Sequence, residues 1–238
     1  MAIVVFGAGG GLGLSLTKAL KQKFNDSTLI AVSRHPITER VAGVHYTTIE
    51  DYTSTHLHAW VNEFSERGEV LEGVVSTIGM LHDDDTFPEK QLDDLNEANL
   101  SKLFSVNAVM PLMILKACKP LLDKKQSRFF VQLSAKVGSI EDNYLGGWYS
   151  YRASKAALNM LLKTAAIELK RSHKSFVVAA IHPGTTDTQL SKPFQKRVPD
   201  DKLYSPALSA ERIVKVIEGL KPEDSGGLFH WNGERLPY

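Results

Sequence analysis

Apolar residues in this chain alternate between two rhythms. Short strand-like runs at 2–6, 28–33, 44–49, 71–78, 128–134, 176–181 and 227–230 are rich in Val, Ile, Leu and Phe. Such runs read as strands buried on both faces of a parallel sheet. Between them, apolar residues recur every three or four positions. Leu16 and Leu20 share one side of a segment that starts near Leu12, and Leu57, Trp60, Val61 and Phe64 mark a second helix. A long helix is expected over about 93–122, with a kink or break at Pro111, because proline lacks the N–H that a helix interior needs. Leu158, Leu161, Leu162, Ala165 and Leu169 give a period of 3.6 in a helix over 149–171, and a last helix is expected over 207–220. Strand and helix alternating throughout predicts one Rossmann-like domain over 1–238. Its core would be a doubly wound parallel sheet of about seven strands with helices on both faces.

The first strand runs straight into Gly7-Ala8-Gly9-Gly10-Gly11-Leu12-Gly13, which opens the first helix. Strand, glycine turn and helix together offer backbone N–H groups and a positive helix end to a pyrophosphate. Further along, Tyr151 and Lys155 stand four residues apart. On a helix that spacing puts phenol and ammonium on one face. A free tyrosine has a pKa of about 10 and is a slow acid or base at neutral pH, and a nearby cation favours the phenolate. The pair is chemically sensible as a proton-transfer unit. With seven tyrosines in the chain the spacing alone is weak. The glycine turn gives it context.

Composition narrows the field. A chain of 238 residues with 43% hydrophobic content can bury one sizeable core. A formal net charge of +1 offers no electrostatic case for nucleic acid or an anionic membrane surface. No run approaches the roughly 20 apolar residues of a membrane span. The single cysteine, Cys118, excludes an internal disulfide framework and sits in an apolar stretch that suggests a buried thiol. A cytoplasmic location is the expectation. The histidines are scattered, and His56 with His58 lacks the spacing of a helical metal pair, so no metal site is expected. The stretch 183–205 is aperiodic and longer than an ordinary loop, which suggests a lid over a substrate site.

Taken in order, Gly7-x-x-x-Gly11-x-Gly13, Asn107, Tyr151-x-x-x-Lys155 and Pro183-Gly184-Thr185-Thr186-Asp187-Thr188 resemble the short-chain dehydrogenase/reductase family over nearly the whole chain. Gly146-Gly147-Trp148-Tyr149 leading into Tyr151-Arg152-Ala153-Ser154-Lys155 is most similar to its C-factor and sniffer-like carbonyl reductase group. The resemblance implies hydride transfer between a nicotinamide and a small carbonyl or alcohol. Tyr151 would be the general acid/base, Lys155 would lower its pKa and bond the nicotinamide ribose, and Asn107 would hold a water in the proton relay. Gly7, Gly9, Gly10, Gly11, Leu12 and Gly13 would cradle the dinucleotide. Thr77, Ile78 and Gly79 would border the adenosine, and Pro183, Gly184, Thr185 and Thr188 the nicotinamide end. Trp148 and Tyr149 are candidates for a substrate-pocket wall. A homodimer or homotetramer, paired through the helices at 93–122 and 149–171, would also fit.

Several positions depart from the family pattern. Phe6 replaces a threonine before the first glycine, and Ser76-Thr77-Ile78-Gly79 replaces Asn-Asn-Ala-Gly. The family's catalytic serine falls on Ala135. Ser134, one residue earlier, is the candidate that could compensate through a local bulge. After the second strand the chain reads Val32-Ser33-Arg34-His35, with no carboxylate to repel a 2′-phosphate and a guanidinium suited to binding one. Ser33 and Arg34 therefore favour NADP(H) over NAD(H), and Glu50 or Asp51 could meet the adenine. Ala135 also motivates a rival reading, a dinucleotide-binding regulatory or signalling protein with little turnover.

Overall fold

The computed structural model describes residues 1–238. Its first half is a repeated strand–helix unit: β1 (Ala2–Phe6), α1 (Gly11–Lys23), β2 (Thr28–Ser33), β3 (Val44–Thr48), α2 (Ser54–Glu66) and β4 (Leu71–Ser76). Two helical segments follow, α3 (Glu97–Phe104) and α4 (Met110–Cys118), and then β5 (Phe129–Leu133), α5 (Tyr149–Leu169) and β6 (Val177–His182). The rest comprises β7 (Thr185–Thr186), β8 (Leu203–Tyr204), α6 (Pro206–Gly219), β9 (Leu228–His230) and β10 (Arg235–Leu236).

Eight strands form one sheet in the order β10-β9-β6-β5-β4-β1-β2-β3, all parallel except the β9–β10 pair. The expected count of about seven misses β10, whose two residues carry no alternating pattern. Strands β1, β2, β4, β5 and β6 are buried almost end to end, as their mainly apolar runs require. Each face of the sheet is covered. On one side Leu16 and Leu20 of α1 and Ile213 and Ile217 of α6 pack against Ile3, Val5 and Val131. On the other, Trp60 and Phe64 of α2, Ile114 of α4 and Leu158 and Leu162 of α5 pack against Val4, Phe6 and Phe130. Cys118 lies in this second core.

Between α3 and α4 the backbone widens into a π turn over Ser105–Val109, where the Met110 N–H bonds to the Ser105 carbonyl five residues back. Pro111 explains the need for relief. Its ring lacks an N–H and would crowd the carbonyl of Asn107 in a regular helix. The expected break therefore falls just ahead of the proline, at Asn107. Read through that turn, 97–121 is a single helical run of 25 residues, long and apolar enough by composition to cross a membrane. This departs from the expectation that no run qualifies. Its Leu103, Ala108, Ile114, Leu115 and Cys118 are buried in the fold.

The loop 183–205 is not featureless. β7 and β8 pair in parallel across its base, and two 3₁₀ segments, Lys192–Arg197 and Asp200–Lys202, lie between them.

Candidate active site

In an open parallel sheet, a crevice forms at the carboxyl ends of the strands where the strand order reverses. Here that point lies between β1 and β4, because the chain runs outward through β2 and β3 and then returns to the far side of β1. The glycine turn leaves β1 at this point. A Cβ on Gly13 would sit 2.2 Å from the Gly7 carbonyl, so only glycine lets α1 press this closely on the turn. Gly10 caps α1 without any side-chain bond, and the first turn holds no acidic residue. The leading N–H groups of α1, at Gly11, Leu12 and Gly13, therefore face outward with a positive helix end behind them.

Around this turn the structure gathers most of the residues named from sequence. Ser33 lies beside Gly9, 3.5 Å between its Cβ and the place of a Gly9 Cβ, and its hydroxyl donates to the His35 carbonyl at 2.6 Å. Arg34 is exposed, and none of the ion pairs in the molecule uses it. Nearby, burial raises the pKa of the Tyr52 phenol, a rise that the Arg34 charge only opposes, and the ring packs edge-on against Phe6. Thr77 makes up for the threonine missing at Phe6. Its hydroxyl donates to the Phe6 and Gly7 carbonyls, at 3.2 and 3.0 Å, and so ties the end of β4 to the turn. Ile78 is pinned through its carbonyl by Gln132 at 2.8 Å. Thr188 rests its methyl over Gly11. A pyrophosphate-bearing dinucleotide fits this cradle: the helix end is uncapped, the glycines leave room, and a free cation stands at the end of β2. Asp51 is committed elsewhere. It accepts from the Thr53 N–H and pairs with His56 at 2.7 Å, and these bonds hold its carboxyl near pKa 2.

Toward β5 the side chains become buried. Tyr151 and Lys155 sit one turn apart on α5, at 7% and 3% exposure, with the ammonium 5.8 Å from the phenol ring centre. Lys155 Nζ donates to the Leu133 carbonyl at 3.2 Å and faces Gly79, whose absent side chain leaves room for it. Burial pulls the Lys155 pKa down to about 8 and pushes the Tyr151 phenol above its ordinary value. The expected lowering of Tyr151 by Lys155 is not seen here: the shift is upward and its cause is desolvation. Asn107 spends its carboxamide on neighbours far along the chain. It accepts from the Met80 N–H at 2.7 Å and donates to the Met80 carbonyl and to Ser154 Oγ at 2.8 and 3.0 Å. Its own carbonyl lacks the usual α-helical donor, since Pro111 stands four residues on.

Ser134 and Ala135 divide differently. Ala135 packs with Leu81, Leu103 and Tyr151 in one small apolar cluster. The Ser134 hydroxyl instead donates to Asn159 Oδ1 at 2.8 Å, two turns along α5 from Tyr151. Trp148 forms a wall, edge-on to both Tyr151 and Phe194, with ring centres 6.1 and 5.1 Å away. Tyr149 turns outward and is 39% exposed. Gly184 is backed by Tyr204 and Trp231, which meet edge-on, and the Arg212 guanidinium lies over both rings at 4.3 and 3.8 Å. Pro183 precedes this turn, and Thr185 follows in β7.

Sequence reasoning missed Glu89, Phe194, His82 and Asn159. Phe194 meets the His82 ring as well as Trp148, and His82 stacks on Phe87. All but Asn159 lie in loops, where no periodicity marks a buried position.

Comparison with known proteins agrees with this geometry. The family model for short chain dehydrogenases matches residues 1–199. The chain belongs to the short-chain dehydrogenase/reductase family. The C-signal protein of Myxococcus xanthus is 34% identical over 62% of this chain and 83% of its own length. The 1-hydroxy-2-glutathionyl-2-methyl-3-butene dehydrogenase of Rhodococcus sp. (strain AD45) is 30% identical over 99% of both chains. Among solved structures, the carbonyl reductase Sniffer of D. melanogaster superposes with a TM-score of 0.85 at 23% identity, covering 100% of this chain and 99% of that one. The NADPH-bound carbonyl reductase from chicken fatty liver gives 0.84 at 23% identity, covering 100% and 94%. The chain is accordingly an NAD(P)-dependent oxidoreductase of the short-chain type, acting between alcohol and carbonyl groups.

Proposed function

We propose that this chain is an NADP(H)-dependent carbonyl reductase whose proton donor is Tyr151. The observation that carries the reading is the buried Tyr151–Lys155 pair. It faces Gly79 and Asn107 at the carboxyl edge of the sheet, beside an uncapped glycine turn. A bound nicotinamide supplies or accepts the hydride. During reduction, the carbonyl carbon gains that hydride while its oxygen takes the phenolic proton of Tyr151; oxidation reverses both transfers. Lys155 sits where its ammonium would stabilise the phenolate left behind, and Asn107, whose main-chain carbonyl has no N–H at Pro111 to accept from, would hold a relay water. Arg34 would meet the 2′-phosphate, with no acidic neighbour to repel it. Leu81, Ala135, Trp148 and Phe194 pack around Tyr151 and would wall an apolar substrate chamber, favouring an uncharged substrate.

A second reading, dinucleotide binding with little chemistry, is favoured by one feature: Ala135 offers no hydroxyl to steady the substrate oxygen. Two measurements separate the readings. Fluorescence titration with NADPH and NADH should give tighter NADPH binding. Turnover of a panel of aldehydes, ketones and quinones should be detectable and should fall at least a hundredfold in Tyr151→Phe. Tight binding with no turnover across the panel would favour the second reading.

A further inference from the structure

The helix that carries Tyr151 and Lys155 begins without a cap of its own. Trp148 stands at the cap position in the left-handed region, at φ 52° and ψ 41°, with no side-chain bond to the helix, and the first turn holds no acidic residue. Gly146 and Gly147 precede it with φ of 64° and 63°, so three successive residues are left-handed. Only Trp148 among them has a side chain that disfavours this region. Something outside the helix must hold this entry in place.

That role falls to Glu89, from the loop between β4 and α3. Its side chain is 4% exposed, and its carboxylate accepts from the Ser150 N–H at 3.2 Å and, through a short bond, from the Ser150 hydroxyl. Its main-chain carbonyl accepts from the Trp148 N–H at 2.6 Å. No lysine or arginine pairs with it. A buried carboxylate without a cation partner needs charge-complementing donors, and here the positive end of α5 supplies them. Arg152 closes the bracket from the helix side, donating from Nε to the Gly146 and Gly147 carbonyls at 3.2 and 3.0 Å. Ser150 and Ser154 flank Tyr151, both fully buried. Each is bonded to the same loop system, Ser150 to Glu89 and Ser154 to Asn107, which in turn grips Met80.

We propose that Glu89 is a positioning residue for Tyr151. It caps the catalytic helix from another part of the chain, fixes the strained Trp148 wall, and locks the 80–90 loop to the tyrosine it covers. The kinetic part of this proposal rests on the function proposed above; the structural part does not.

The experiment uses the full chain as Glu89→Gln, Glu89→Ala and Ser150→Ala, with two independent readouts. The first is backbone amide exchange over 146–155. It should speed up in all three variants, least in Glu89→Gln, while exchange in the β1–α1 segment stays unchanged. The second is steady-state kinetics. Here kcat should fall roughly ten- to a hundredfold in Glu89→Ala, with substrate KM and NADPH affinity within about twofold of wild type. Glu89→Gln should recover part of the loss, since its carbonyl keeps one of the two acceptors. Should Glu89→Ala fail to fold, the Gln and Ser150 variants carry the same comparison. Unchanged exchange over 146–155 overturns the proposal, and so does a kcat loss matched by an equal loss of NADPH affinity. If wild-type protein turns over nothing, the proposed function fails, and the exchange data alone decide whether Glu89 holds the helix.

Discussion

Tyr151 and Lys155 share a buried corner, and burial acts on both by disfavouring charge. For Lys155 the sign is clear. Its folded pKa, about 8, lies below the ordinary 10.5, so the unfolded chain binds the proton more tightly. The cost of burying the ammonium is fully present below pH 8 and is relieved as pH rises above it. Thermal melts of wild type and Lys155→Met should therefore converge between about pH 8 and 10, with the wild type gaining. At Ser134 the hydroxyl is spent on Asn159. Ser134→Ala should lose about 1 kcal/mol of stability while turnover stays within about threefold. A drop as large as that of Tyr151→Phe would return a catalytic role to Ser134. At Arg34 a charge reversal is the decisive change. Arg34→Glu should invert the preference from NADPH to NADH in a binding titration, because the carboxylate repels a 2′-phosphate and accepts from a 2′-OH.

Elements were legible where a run of apolar residues is its own explanation. The bounds of β2, at 28–33, follow from the hydrophobic run without adjustment. The two-residue β10 does not, because pairing with β9 rather than any local pattern makes it a strand. Pro111 announced a disturbance in the long helix, yet not its form: a π turn depends on how the Asn107 neighbourhood packs. The candidate site shows the same division. Tyr151, Lys155 and the glycines carry spacing that survives on paper. Glu89 carries none, since its worth lies in meeting a helix end 61 residues away. At Gly13 the argument is purely steric. Gly13→Ala would drive a methyl into the Gly7 carbonyl and part α1 from β1. Circular dichroism melts should show a marked loss of stability, and dinucleotide binding should be lost with it.

At the scale of the whole molecule, the sheet brings its chemistry to one edge and packs a second, half-buried titratable group nearby. His182, at the end of β6, is held neutral, its pKa pulled down to about 3 by burial and by the charges of His230 and Lys136. The unfolded chain accepts a proton near pH 6.5, so folding stability must drop as pH falls from 6.5 toward 3. His182→Gln should flatten that decline in urea denaturation between pH 7 and 5, whereas an unchanged slope would show that other groups set it. One contact has a kinetic corollary. Thr188, at the root of the 183–205 loop, lies over Gly11, so whatever occupies the phosphate turn is roofed by the same segment that borders the reaction chamber. Arrival and departure should then follow a queue, the nucleotide boarding first and disembarking last. Product-inhibition patterns should be those of a compulsory sequence, with oxidised nucleotide competing only against reduced.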